Sequence, residues 1–156
     1  GTIVLILDIL KAWIAVSLLS TLAGNTNVEF QLALGLVAVL GHIFPIYIGF
    51  RGGKGIASLL GVIIAIHPAA ALIAIGFFLI TLLITKYVSL SSIIAAFAFP
   101  VLIYYYFEES NYSLIIFSIM VAVLVLFTHK KNIDRLFKNE ESKVTILRKT
   151  FKRKEK

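Results

Sequence analysis

Three short stretches carry side chains able to do chemistry. In "RGGKGIAS", Arg51 to Ser58, two cations flank glycines Gly52, Gly53 and Gly55. Glycines let a backbone turn and approach a ligand closely, and a helix starting near Ile56 would add unpaired N–H groups at its positive dipole end, so this is anion-binding chemistry. In "TKYVSLSS", Thr85 to Ser92, Ser89 and Ser92 stand three apart at a helix start, where both hydroxyls can face one pocket beside Lys86. Serine capping and a cytoplasmic-side lysine are the plainer readings of that stretch taken alone. In "FTHKKNIDR", Phe127 to Arg135, His129 and Asn132 share a helical face, whereas Asp134 would lie about 140° round from His129. A histidine and an amide suit proton handling and ligand orientation. The same stretch fits H-x4-D, but a helix points that pair apart.

Other polar residues support these clusters. His42, in "GHIFP", precedes the glycine loop and would donate to a pocket or cap a helix end. Asp8 and Lys11 are an i, i+3 charge pair inside an apolar run, where mutual pairing or a pocket-facing role is the default. His67 precedes Pro68 and reads as a bystander. The loop is not a Walker A motif, because Ile48 replaces its first glycine and Gly55 its Ser/Thr. There is no G-x-S-x-G elbow, no H-E-x-x-H and no metal-ligand spacing; with no cysteine, thiolate chemistry and disulfides are excluded. No metal, cofactor or nucleotide is called for.

These residues sit in a very apolar chain. Of its 156 residues 60% are hydrophobic, and mean hydropathy is +0.98, well above a soluble domain's roughly 45 to 50% apolar content. The expectation is an all-α integral membrane protein with six transmembrane or half-membrane helices: Thr2 to Leu22, Val28 to Phe44, Ile56 to Ile66, Pro68 to Ile84, Leu90 to Phe107 and Tyr112 to Phe127. Ile56 to Ile66 would rise only about 16 Å, half the hydrocarbon core, so the glycine-rich loop before it is expected to be re-entrant.

Charge sets the orientation. The net +7 comes from the tail: before Lys130 four cations balance four anions, whereas the tail holds eleven Lys or Arg against four acids. A juxtamembrane basic cluster marks the cytoplasmic side near anionic lipid rather than a nucleic-acid surface. The Arg51–Lys54 loop, the Lys86 loop and the tail then share the cytoplasmic face, and three polar clusters converge there. The expected organisation is a membrane-embedded domain, 1–129, and a basic cytoplasmic tail, 130–156, helical at first. A phosphate-bearing substrate with an apolar chain suits such a site, as does a small-anion or phosphate transporter or channel.

"GHIFPIYIGFRGGKGIAS", "TKYVSLSSIIAA", "HKKNIDRLFKNEESK" and the early "ILDILK" resemble, in order, motifs of the PlsY family of membrane glycerol-3-phosphate acyltransferases. The resemblance implies acyl transfer from acyl-phosphate to the 1-hydroxyl of glycerol-3-phosphate, giving lysophosphatidic acid and phosphate in bacterial phospholipid synthesis at the cytoplasmic (inner) membrane. By position it implies phosphate binding by Lys54, Arg51, the Gly52 to Gly55 amides and Ser92, with His129 and Asn132 joining Lys54 as catalytic residues. Whether His129 or a substrate phosphate takes the hydroxyl proton stays open. The implied partners are the two substrates and membrane lipids, with no nucleic acid and no obligate protein partner. The family's first span and first motif are absent from this sequence, which is therefore expected to be a fragment of a seven-helix fold, inactive if that motif is essential.

Overall fold

The computed structural model describes residues 1–144. The expected tail residues 145–156 lie outside the described residues. Among residues 1–144 every regular element is helical: α1 (Thr2–Leu22), α2 (Val28–Ile43), a 3-10 turn (Ile46–Ile48), α3 (Ile56–Ile66), α4 (Pro68–Thr85), α5 (Val88–Val101) running into a π-helical stretch (Leu102–Tyr106), α6 (Tyr112–Thr128) and α7 (Lys130–Phe137). The six apolar runs thus all form helices, with ends within two residues of expectation, and α7 is the helical start of the tail.

Local chemistry explains the breaks. Gly24 takes φ +64 just after α1, a left-handed conformation natural to glycine. Pro68 occupies the first turn of α4, where its missing N–H costs nothing, and His67 caps that helix by accepting from the Ala70 N–H at 3.2 Å. The ring of His67 also packs on Phe107, 4.4 Å between centroids, so this histidine has a structural task. Asn111 caps α6 by accepting from the Leu114 N–H at 3.1 Å. Pro100 cannot donate within α5, and the helix widens to π geometry two residues later.

Among the described residues three helical stretches are long and apolar enough to cross a membrane: Thr2–Leu22, Pro68–Thr85 and Val88–Tyr106. α6 and α7 pass the same test as a pair bent by 61°. α2 and α3, with 16 and 11 residues, are shorter. Large apolar side chains such as Leu72, Leu83, Ile84 and Phe127 point outward, as lipid-facing residues do.

The core is where small residues allow close approach. α1 packs most extensively on α3, burying Ala12 and Val16 at helical spacing. At Gly61 of α3 a Cβ would collide with the Ile9 carbonyl and come within 3.1 Å of the Ala12 Cβ, so only glycine lets the helices meet there. α5, the π-helical stretch and α6 add Phe99, Ile103 and Phe117 to this core.

Candidate active site

The glycine loop is folded back on the end of α2. After the 3-10 turn, Gly49 and Phe50 take φ of +61 and +62 and reverse the chain. The Gly52 N–H then donates to the Ile43 carbonyl at 3.1 Å, and the Gly53 N–H to the His42 carbonyl at 3.3 Å. These carbonyls end α2 and need such partners. The expectation that all the loop amides are free for an anion is therefore corrected, since Gly52 and Gly53 already donate to α2. Gly52 has no room for a side chain, because a Cβ would strike the same two carbonyl oxygens. Gly55 stands at φ +78 as the residue before α3, whose first turn has no side-chain cap. Ser58, in that turn, is fully buried, and its hydroxyl is the one buried side-chain polar atom without a partner among the described residues.

From this loop Lys54 reaches across to the last helix. Its Nζ donates to Asn132 Oδ1 at 2.5 Å, joining residues 78 apart in sequence. The Asn132 Nδ2 in turn donates to Glu141 Oε1 at 2.6 Å. Glu141 also accepts from Ser89 Oγ at 2.7 Å and, through Oε2, from Arg135 Nε at 2.7 Å. Burial pushes the Glu141 carboxyl up, but the hydrogen bonds from Asn132, Ser89 and Arg135, with the Arg135 charge, outweigh it and hold the group down at about 2. An ionised carboxylate that is only 6% exposed is tenable because three donors surround it. Sequence reasoning gave Glu141 no role. Its signal was an acid in "NEESK" within a basic tail, and only tertiary folding reveals its partners.

His129 marks the 61° bend between α6 and α7 and is 2% exposed. The reading of His129 and Asn132 as neighbours on one continuous helix is refined: His129 lies at the junction, and the Asn132 N–H donates to its carbonyl at 2.8 Å as α7 begins. The His129 Nδ1 is 3.0 Å from the Val125 carbonyl. A carbonyl only accepts, so Nδ1 carries the proton and Nε2 presents a lone pair. Burial, then the Lys54 charge, lowers the His129 pKa against the opposing Val125 bond, keeping the ring neutral at pH 7. Asp134 is exposed and stays outside the network.

The other expected residues fall in varied places. Ser92 is buried, but its hydroxyl donates to the Val88 carbonyl at 3.0 Å within its own helix; it does not point to the Lys54 network as Ser89 does. Lys86 closes α4 in a left-handed conformation, and its carbonyl accepts from the Val144 N–H at 2.8 Å, tying the tail to this loop while its side chain stays exposed. Arg51 is exposed and makes no hydrogen bond among the described residues. Asp8 and Lys11 do pair, at 2.6 Å, and Lys11 also meets His42. No group of three or more acidic or histidine side chains with metal-ligand placement occurs among the described residues.

An apolar cavity of about 270 Å³ runs between α1, α3, α4, α5 and α6. Its lining includes Ile56, Ser92 and Val125, so along the chain it comes within two residues of Lys54 and four of His129. Deeper in, it is walled by Ala74, Phe78, Ala96 and Phe99. The site thus joins a cation and an amide by a direct hydrogen bond, close in the chain to a buried imidazole.

Comparison with known proteins agrees with this fold. The sequence pattern of the family described as "Glycerol-3-phosphate acyltransferase" matches residues 1–139. The chain is similar to the glycerol-3-phosphate acyltransferase of Fusobacterium nucleatum, 41% identical with 92% of this chain and 72% of that protein covered. It is similar also to that of Chlorobium luteolum, 37% identical, with 77% of this chain covered. The chain spans 61% of the length of that second relative. Among solved structures it resembles PlsY, described as an integral membrane glycerol 3-phosphate acyltransferase, in its glycerol 3-phosphate form: TM-score 0.82, 33% identity, covering 92% of this chain and 70% of the other. The lysophosphatidic acid form of the same protein matches with TM-score 0.81. On the extent of the sequence match and the shared fold, the chain belongs to the PlsY family of membrane glycerol-3-phosphate acyltransferases.

Proposed function

We propose that the protein transfers a fatty acyl group from acyl-phosphate to the 1-hydroxyl of glycerol-3-phosphate, releasing lysophosphatidic acid and inorganic phosphate. The observation that carries this reading is the direct Lys54–Asn132 contact, with the Asn132 N–H bonded to the His129 carbonyl. Lys54 binds phosphate, with Arg51 and the uncapped first turn of α3 as further donors. The acyl chain lies in the cavity, and the Lys54 loop faces the cytoplasm at the inner membrane. The relatives bear the acyltransferase name, and the PlsY structures hold glycerol 3-phosphate and lysophosphatidic acid.

The reaction needs little covalent help, because acyl-phosphate already carries a good leaving group. The substrate hydroxyl attacks the acyl carbonyl, the bond from that carbon to the phosphate oxygen breaks, and phosphate departs with the hydroxyl's proton. The lone pair of His129 Nε2 accepts the hydroxyl's hydrogen bond, orienting it for attack. Lys54 stabilises charge on phosphate, and Asn132 aims Lys54. Purified protein in lipid, given radiolabelled glycerol-3-phosphate and palmitoyl-phosphate, is expected to form lysophosphatidic acid, with no product from acyl thioesters. Lys54→Ala is expected to abolish turnover while still inserting. Phosphate flux without acyl product would instead establish an anion transporter.

A further inference from the structure

Three polar residues inside the apolar shell take no part in the chemistry above. Lys11 Nζ of α1 lies 2.6 Å from Asp8 Oδ1 and 2.9 Å from His42 Nδ1 of α2, and Asp8 Oδ1 stands 3.4 Å from that same nitrogen. Charges within a span are costly unless they serve a purpose and pair. An ammonium only donates, so His42 Nδ1 accepts from Lys11, and the neutral ring carries its proton on Nε2. Nε2 makes no hydrogen bond among the described residues. That edge of the ring lies against Gly53: a Cβ there would collide with Nε2 and come within 3.4 Å of both neighbouring ring carbons. The carbonyl of His42 meanwhile receives the Gly53 N–H. One residue of α2 thus holds Gly53 from two sides, by its backbone and by its ring, and Lys54 is the next residue in the chain.

We propose that His42 is a positioning residue for the Gly52–Lys54 turn, with the Asp8–Lys11 pair of α1 fixing the orientation of its ring. This rests on the reading of Lys54 as the phosphate ligand. Without the ring, the turn keeps its hydrogen bonds to the Ile43 and His42 carbonyls but loses the wall that limits Gly53, and Lys54 is no longer directed at Asn132. The charged pair in α1 thereby acts on the phosphate site without touching it. A ring that merely fills space would need neither Lys11 nor glycine opposite it.

Two mutant cycles test this on the intact protein in lipid, reading the KM for glycerol-3-phosphate, kcat and the folded fraction of each variant. His42→Ala is expected to raise KM about tenfold with the folded fraction unchanged, and His42→Gln, which retains a donor at the ring's far edge, to recover most of it. Gly53→Ala is expected to impair the parent about tenfold but to add less than about twofold to His42→Ala, because the collision has been removed. Lys11→Met is likewise expected to act on the parent and to add nothing to His42→Ala. Full additivity in the Lys11 cycle, or His42→Gln as poor as His42→Ala, would overturn the proposal even if Gly53→Ala did not fold. The same variants titrated with inorganic phosphate read the turn without turnover. An inactive parent whose phosphate affinity still follows the cycles would defeat the acyltransferase reading alone.

Discussion

Lys54 and Asn132 are joined by one hydrogen bond that closes the glycine loop onto the start of the last helix. Asn132 is itself held by Glu141, so its carbonyl oxygen is the atom turned to the ammonium. Replacing that amide with a carboxylate would convert a directing contact into a strong ion pair and compete with phosphate for Lys54. Asn132→Asp is therefore expected to lower kcat/KM at least about tenfold, with phosphate affinity falling in parallel. Steady-state kinetics and phosphate titration on one preparation check it.

His129 supplies a pH signature. Its pKa is held below the ordinary value of 6.5, and the neutral ring is the form whose Nε2 accepts. Activity is expected to rise with pH through a pKa below 6.5 and then stay flat across neutrality, because protonation at low pH removes the lone pair. His129→Asn is expected to lose most of the activity and this acid limb together. A pH profile of kcat/KM in both proteins is the measurement.

Glu141 supplies a different one, in stability. Its folded-state pKa, about 2, lies below the ordinary value of 4.5, so its contribution is complete above about pH 4.5 and is lost as pH falls towards 2. Thermal unfolding in detergent is expected to lose Tm over that window, and Glu141→Gln to flatten the loss. At neutral pH the same substitution is expected to lower Tm, because Ser89, Asn132 and Arg135 lose an ionised acceptor.

The cavity sets a length. Ala96 lines its interior, where a larger side chain would fill the space that the proposed function gives to the acyl chain. Ala96→Phe is expected to shift preference to shorter acyl-phosphates and to leave phosphate affinity unchanged. Competition between palmitoyl- and octanoyl-phosphate in one reaction reads the shift.

What could be read from sequence follows from the range of the forces involved. Apolar runs, Pro68 and the polar breaks act within a few residues, so all six helices and the half-length α3 were legible. Glycines beside Lys54 signalled a tight turn, but not that Gly52 and Gly53 would donate to α2, because hydrogen-bond partners depend on where the chain folds back. The Lys54–Asn132 contact and the cluster around Glu141 bridge distant segments, and no periodicity encodes them. Ser89 and Ser92 are both buried on α5 as their spacing suggested, but which partner each hydroxyl takes, Glu141 for Ser89 and the Val88 carbonyl for Ser92, was not encoded locally. An end to the last span at Phe127 and a helical start to the tail at residue 130 were legible, but the 61° angle between the two helices depends on packing that no local pattern encodes.

The clamp formed by Asn132, Arg135 and Glu141 also imposes an order on biosynthesis. A ribosome delivers the glycine loop long before it delivers residue 132, so Lys54 enters the bilayer without the partner that aims it. Every helix must be threaded and the start of the tail released before the site can close. The site is therefore assembled only after residue 132 has been made, and a chain cut short before Asn132 would have no such partner for Lys54.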